Sequence, residues 1–225
     1  RGRWMQRDPL GTVDSLNLHE YLGSSPINHL DPSGAIFGWI SAGIGAALGT
    51  VTYVAGSLFT GQEMTWGGVA GAAAGGFVAG AIVGAFTGDV SAAGVALGAA
   101  KMAGIGAVAG AAAGGVGSVT QQLVDTGRVD ATQVGVAMTA GAVGGAVGGA
   151  AFGRGGDLFL RSLAGGLLGG GSGGFVGGGL GAVTQGQAFL PGAVHGTLQG
   201  MVYGTIGAGI GYGTMRAQQA YRGWR

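Results

Sequence analysis

Glycine returns at every fourth residue in four separate runs of this chain: at 76, 80, 84 and 88; at 141, 145, 149 and 153; at 165, 169, 173, 177 and 181; and at 192, 196, 200 and 204. A spacing of four keeps residues on one face of a helix. A strand would need a period of two, and no such period is sustained. In water each mid-helix glycine costs up to about 1 kcal/mol relative to alanine, so four in one helix forbid an isolated soluble helix. The cost becomes tolerable where the smooth face lets two backbones approach, as small-xxx-small contacts do between membrane helices. The helix-packing positions expected from this spacing are Gly76, Gly80, Gly84, Gly141, Gly145, Gly149, Gly165, Gly169, Gly173, Gly177, Gly192, Gly196 and Gly200.

Composition excludes several other ways of using so much glycine. Gly makes up 57 of 225 residues, yet there is no strict G-x-y period and Pro is only 4, which rules out collagen. Charged residues are 8% against a hydrophobic 47%, so the chain is not a solvated disordered tract. A net charge of +1 gives no electrostatic reason to expect nucleic acid as a partner. With Cys at 0 there is no disulfide framework and no thiolate metal site. The chain begins with Arg and shows no basic segment followed by an apolar one, so it reads as a piece of something longer.

Residues 36–215 carry nine charges, and between them lie uncharged runs at 36–62, 64–88, 102–124, 131–153 and 162–215. Each run is long enough for a membrane span of about 20 residues, though glycine and alanine dilute them all. A weak internal repeat punctuates them: FTGQEMTWGGVAG at 59–71, DTGRVDATQVGVA at 125–137 and TQGQAFLPGAVHG at 184–196. Each has a glycine and polar residues between two apolar helical runs, which predicts a helix, a Gly stop at 61, 127 or 186, and a return helix. The fold expected is mainly α: about six Gly/Ala-rich apolar helices as three αα-hairpins, 36–59 with 65–87, 91–125 with 132–152, and 158–184 with 190–214. Asp130 or Thr132 would cap the second return helix, and Pro191 fits the first turn of the third. Arginine and aromatic residues in the 216–225 tail, Arg216, Tyr221, Arg222 and Trp224, suit a membrane interface or an ordinary polar terminus.

Residues 1–34 are different. They hold seven of the nineteen formal charges, three of the four prolines and two D-P-x-G turns, Asp8-Pro9-Leu10-Gly11 and Asp31-Pro32-Ser33-Gly34. Between them LNLHEYLG alternates well enough for a short strand. The composite of Gly2-Arg3-Trp4, Arg7-Asp8-Pro9-Leu10-Gly11, Asn17-Leu18 through Tyr21, and Pro26 with Asp31-Pro32-Ser33-Gly34 resembles the end of the repeat-associated core of RHS/YD-repeat proteins. The resemblance covers residues 1–34 and none of the rest. It implies a large upstream β-shell that encloses a C-terminal payload. In several such families the shell cuts its own chain after the second D-P-x-G with a pair of aspartates, which carries over to Asp8 and Asp31 as acid and base. Ala35 stands where many self-cleaving members have Leu, which weighs against cleavage and leaves Asp8 and Asp31 equally readable as turn caps. The division that follows is a core segment at 1–34, a glycine-striped helical region at 35–215 and a basic, aromatic tail at 216–225.

Motifs of enzymes are present only as letters. GGSGG at 170–174 matches G-x-S-x-G, but Ser172 sits inside a glycine ladder with no strand before it. GIGAVA at 104–109 has no βαβ frame around it. His19, His29 and His195 lack metal-ligand partners at useful spacing, so no metal and no cofactor is expected. Lys101 and Asp89 lie in apolar sequence, either on a functional face of a span or at a helix end. An enzyme needs polar groups converging in a pocket, and here they fall largely between apolar runs. The leading expectation is therefore a non-enzymatic payload of the polymorphic-toxin kind, secreted or delivered at a cell surface. It would insert its hairpins, self-associate through glycine faces and permeabilise a bilayer, with an immunity protein as a further partner. The alternative is a self-association or packing module without toxic activity.

Overall fold

The computed structural model describes residues 36–87, 98–154 and 157–222, and among them every regular element is a helix. There are six: α1 (Ile36–Thr60), α2 (Trp66–Thr87), α3 (Gly98–Thr126), α4 (Ala131–Phe152), α5 (Leu158–Thr184) and α6 (Phe189–Arg222). The expected boundaries agree within two residues for five helices at the described ends. Residues 91–97, where α3 was expected to begin, lie outside the described ones, as do residues 1–35 with the D-P-x-G turns. The helix expected to stop at 214 runs on to Arg222. The sequence MRAQQAYR holds good helix formers and no glycine or proline to end it.

Three of the connections share one design. Gly61, Gly127 and Gly186 have φ of 68°, 67° and 75°, a left-handed conformation that costs glycine nothing. After α1 the Gln62 N–H reaches back to the Ser57 carbonyl at 3.1 Å, and after α5 the Gln187 N–H reaches the Ala182 carbonyl at 2.8 Å. This is the Schellman closure that satisfies the last carbonyls of a helix. Each return helix then needs its first N–H groups satisfied. Thr65 Oγ1 accepts from Gly68 N at 2.9 Å ahead of α2. Asp130, one of the two candidates, caps α4 by accepting from Thr132 N at 2.8 Å. Asp157 accepts from Phe159 N at 2.9 Å and from Leu160 N at 3.2 Å ahead of α5, a cap that its place before LFL could have shown. Pro191 lies in the first turn of α6, as expected.

Successive helices run antiparallel, which the facing residues make plain. Ser41 lies against Gly80 and Gly49 against Ala72; Gly106 against Gly145 and Gly114 against Ala137; Gly166 against Gly204 and Gly178 against Gly192. Helices α2 and α3 meet through Gly71 and Gly75 against Gly117, and α4 meets α5 through Gly144 and Gly148 against Gly169. Helix α6 then returns to α1, so the helices form a ring with each one packed mainly on its two neighbours. In α4 and α5 the contacts with the two neighbours run side by side over the same stretch, while α1 meets α2 from Ser41 to Tyr53 and α6 from Thr52 to Ser57.

The seam between α6 and α1 is built differently from the other five interfaces. The Tyr203 ring lies over Gly56, its hydroxyl donates to Gln62 Oε1 at 3.0 Å, and its oxygen sits 3.2 Å from the Ser57 hydroxyl. Ser57 is buried to 1% exposure by this contact. Further along the seam, a Cβ on Gly207 would come 3.3 Å from Thr52 Oγ1. Because the chain has no cysteine of its own, the double substitution Thr52→Cys with Gly207→Cys gives an unambiguous test of closure. The spacing falls near the range a disulfide accepts, and mild oxidation should produce an intramolecular crosslink seen by mass spectrometry in most copies. A crosslink formed no faster than in a Thr52→Cys, Gly181→Cys control would mean that the ring is open.

Candidate functional site

The surface that this chain offers for function is its inter-helix glycine system, together with the faces that the system leaves outward. At Gly141 and Gly145 on α4, the carbonyls of Gly110 and Gly106 occupy the place a Cβ would take, and at Gly149 the Met102 carbonyl does. Gly76 meets the Gly45 carbonyl, and Gly80 the Ser41 carbonyl. Gly196 and Gly200 meet the carbonyls of Gly174 and Gly170. In each case backbone lies on backbone, an approach that only the absence of a side chain allows and that favours weak Cα–H to carbonyl contacts. The α4/α5 contact is slightly looser. A Cβ would lie 2.8 Å from the Gly144 carbonyl at Gly169, 3.0 Å from the Ala140 carbonyl at Gly173 and 3.1 Å from the Gly148 carbonyl at Gly165. At Gly177 it would meet the Ala140 methyl at 3.0 Å, and at Gly192 the Gly178 carbonyl at 2.5 Å. Gly84 is buried.

Twelve of the thirteen expected packing glycines lie against a neighbouring helix and Gly84 is buried, but the expected set was only part of the system. The partners Gly45, Gly49, Gly106, Gly110 and Gly114 were missed, as was the second stripe of α5, Gly166, Gly170, Gly174 and Gly178. A signal for the second stripe was present. Doublets recur every four residues at 144–145 and 148–149 and at 165–166, 169–170, 173–174 and 177–178. Neighbouring residues on a helix point about 100° apart, so a doublet gives one glycine to each of two flanking helices. In α5 the first of each pair faces α4 and the second faces α6; in α4 the first faces α5 and the second α3.

Many of the large apolar side chains are turned outward. Among the described residues the buried hydrophobic ones are Ala42, Met102, Ala109, Ala151, Ala182 and Ala193, five of the six being alanine. Meanwhile Phe59 and Trp66 are 80% and 83% exposed, and Leu58, Phe86, Leu160, Leu190, Val194 and Leu198 are all more than half exposed. Small inside and large outside is the reverse of a water-soluble domain. Four helices contain stretches long and apolar enough to cross a membrane: Ser41–Thr60, Trp66–Phe86, Gly98–Thr126 and Ala131–Phe152.

Polar groups gather where the helices end. Asp125 at the end of α3 accepts from Gly67 N at 2.8 Å and from Thr65 Oγ1 at 2.9 Å, tying the α1–α2 turn to its neighbour. At the opposite end, Arg161 and Ser162 continue the two stripes of α5 and are 5% and 8% exposed. The Arg161 Nε donates to the Phe152 carbonyl at 2.6 Å, and its guanidinium carbon lies 4.6 Å from the centre of the Phe152 ring. Beside them is an open pocket of 310 Å³, lined by Val83, Met102, Ile105, Phe152, Ser162, Ala208 and glycines of α3 to α6.

The enzyme-like letters resolve into helix. Ser172 donates to the Gly169 carbonyl at 3.2 Å within α5 and has no nucleophile geometry. Gly106, inside the dinucleotide-like string, is a packing position against Gly145. Lys101 is exposed in the first turn of α3, and His195 is exposed on α6. Of the interface residues expected in the tail, Arg216 is exposed with its guanidinium carbon 6.0 Å from the Tyr212 ring centre. Tyr221 and Arg222 fall on the last turn of α6, while Trp224, Asp8, Asp31 and Asp89 lie outside the described residues. Set against protein-family models, curated proteins and solved structures, the chain matches none.

The glycine contacts set up a paired expectation. Gly110→Ala places a methyl group on the Gly141 carbonyl, and overpacking of this kind costs about 1–3 kcal/mol. Gly104 and Gly181 have nothing within 4 Å of a Cβ. Alanine there should stabilise the helix by up to about 1 kcal/mol. Thermal unfolding followed by circular dichroism in micelles should lower the midpoint for Gly110→Ala and raise it for Gly104→Ala. Equal shifts at both sites would mean that glycine is not used for contact.

Proposed function

We propose that this chain is the C-terminal payload of an RHS-like protein, a membrane-inserting effector that packs glycine-striped helices and permeabilises a target bilayer. The observation that carries the reading is the inversion of residue size. Side chains such as Phe59, Trp66, Leu160 and Leu190 point outward, while alanine and glycine fill the interior. Water penalises such a surface by about 25 cal/mol per Å² of exposed apolar area, whereas hydrocarbon does not. Packing through small residues and close backbone contact is what holds helices together once the hydrophobic drive between them is gone. A payload of this kind has to be kept from water before it reaches its target. That is the role we give to the upstream β-shell that residues 1–34 imply, with delivery by secretion or at a cell surface. Release would fall to self-cleavage by Asp8 and Asp31. The bilayer is the partner, self-association of inserted copies the step that opens it, and an immunity protein the producer's protection.

A second reading, a packing module with no toxic activity, draws on two observations. The glycine stripes are occupied within one chain, and the open pocket beside Ser162 is lined by apolar residues with Ser162 as the only hydroxyl among them. Dye leakage from anionic liposomes separates the two. The full chain should cause prompt, dose-dependent leakage, reduced at least tenfold when Gly141, Gly145 and Gly149 are all changed to Leu. Protein that causes no leakage, whether bound to the liposomes or left in solution, would remove the permeabilising reading and leave the packing module.

A further inference from the structure

The charges of this chain sort by the end of the ring on which they lie. The turns at 61–65, 127–130 and 185–188 share one end, which carries Glu63, Asp125 and Asp130 against Arg128. The opposite end holds Lys101, Arg154, Arg161, Arg216 and Arg222, and among the described residues Asp157 is its only acid. Contacts between helices fix that level. A Cβ on Gly153 would lie 2.7 Å from the Ala99 Cα, Arg161 reaches the Phe152 carbonyl, and the Phe159 and Tyr212 rings meet edge to face at 5.3 Å. Adding to this end every charge outside the described residues leaves it basic. Asp89, Arg225 and the three arginines and four acids of residues 1–34 lower its excess by one.

Helix electrostatics does not account for the sorting. Lys101 and Arg161 lie in the first turns of α3 and α5, where a cation opposes the helix dipole. Asp157 is already engaged by the Phe159 and Leu160 N–H groups. Arg161 is buried over the Phe152 ring, but Lys101, Arg154 and Arg216 are exposed. The exposed cations stand next to outward apolar side chains, Phe159 and Leu160 among them. Charge beside hydrocarbon suits a headgroup layer over lipid tails and does not suit a nucleic acid. The two ends are also one bilayer apart. Helix α4, which joins them, has 22 residues, about 33 Å at 1.5 Å per residue, against about 30 Å of hydrocarbon.

We propose that the end bearing Lys101, Arg154 and Arg216 is a docking surface for the phosphate headgroups of an anionic phospholipid leaflet, and that this contact sets the direction in which the ring lies across a bilayer. The end with Glu63, Asp125 and Asp130 is repelled by the same leaflet and lies on the far side. The inference rests on the reading of this chain as membrane-inserting, and not on its permeabilising activity.

Co-flotation of the full chain with vesicles of phosphatidylcholine, alone or mixed equally with phosphatidylglycerol, tests the surface. Each lysine or arginine near an anionic surface strengthens binding about fivefold. Lys101→Gln, Arg154→Gln and Arg216→Gln together should therefore lower partition into the mixed vesicles about a hundredfold, and partition into pure phosphatidylcholine by less than about twofold. Arg128→Gln removes the same charge from the other end and should change neither. Direction is read separately. The chain has no cysteine, so Ala100→Cys and Gln187→Cys each place one thiol, at opposite ends. In mixed vesicles a polymer-linked maleimide too large to follow a leaking dye should label Ala100→Cys and spare Gln187→Cys. A triple variant that keeps its preference for mixed vesicles overturns the surface, as does an Arg128→Gln variant that loses as much. Equal labelling of the two thiols overturns the direction. Leakage without preference for phosphatidylglycerol removes this surface and leaves the effector reading, whereas preference and direction without leakage leave the surface and remove permeabilisation. A chain that floats with neither kind of vesicle removes both.

Discussion

A backbone carbonyl resting where a neighbouring helix has no Cβ is the contact on which the rest of this structure depends. It occurs at Gly106 with Gly145, at Gly110 with Gly141, at Gly170 with Gly200 and at Gly174 with Gly196. A contact this close leaves no room for leucine or phenylalanine between helices. Those residues are then forced to the outer arc, which is why Leu58, Phe59 and Leu160 are exposed while the buried set is nearly all alanine. Burial of large apolar side chains contributes less to such a ring than to a water-soluble core, since the fully buried hydrophobic residues described are nearly all alanine. Dispersion between closely approached backbones and weak Cα–H contacts can hold it in hydrocarbon, where outward leucine and valine carry no penalty. Fold and environment are therefore a single argument.

The ring follows from doubling that contact. A helix with one stripe can make a pair; one with two stripes about 100° apart can be flanked on both sides. Helices α4 and α5 carry glycine doublets at the period of four, and α2 carries two doublets, Gly67–Gly68 and Gly75–Gly76, the first residue of each facing α3 and the second α1. Helix α1 lacks a second glycine stripe. Its contact with α6 is made by the Tyr203 ring over Gly56 and by hydroxyls of Ser57 and Tyr203. The polar side chains that remain are spent at the ends, as caps at Thr65, Asp130 and Asp157 and as the Asp125 tie between turns. Where the stripes of α5 run out, arginine and serine take their places, and the space beside them is the open pocket.

Much of this was legible in the sequence, for reasons local to the chain. Helix number and most helix ends follow from the length of apolar runs and from glycines at 61, 127 and 186. A left-handed stop is a property of a single residue and its immediate neighbours. The period of four needs no partner to be recognised, so at least one packing face of α2, α4, α5 and α6 could be assigned.

What the sequence by itself determined, then, is the helices, their stops and the need for close backbone approach. Only the tertiary structure decided which stripe meets which. A glycine stripe carries no side chain to specify its partner: Gly141 would fit Gly170 as well as Gly110, and the choice rests on which helices the short turns bring together. Closure between α6 and α1 is decided the same way, because Tyr203 and Ser57 are 146 residues apart and share no motif. The pocket and the isolated hydroxyl of Ser162 exist only once five helices have converged. Ser162 differs from the helix hydroxyls bonded to their own backbone through its surroundings, not through its sequence.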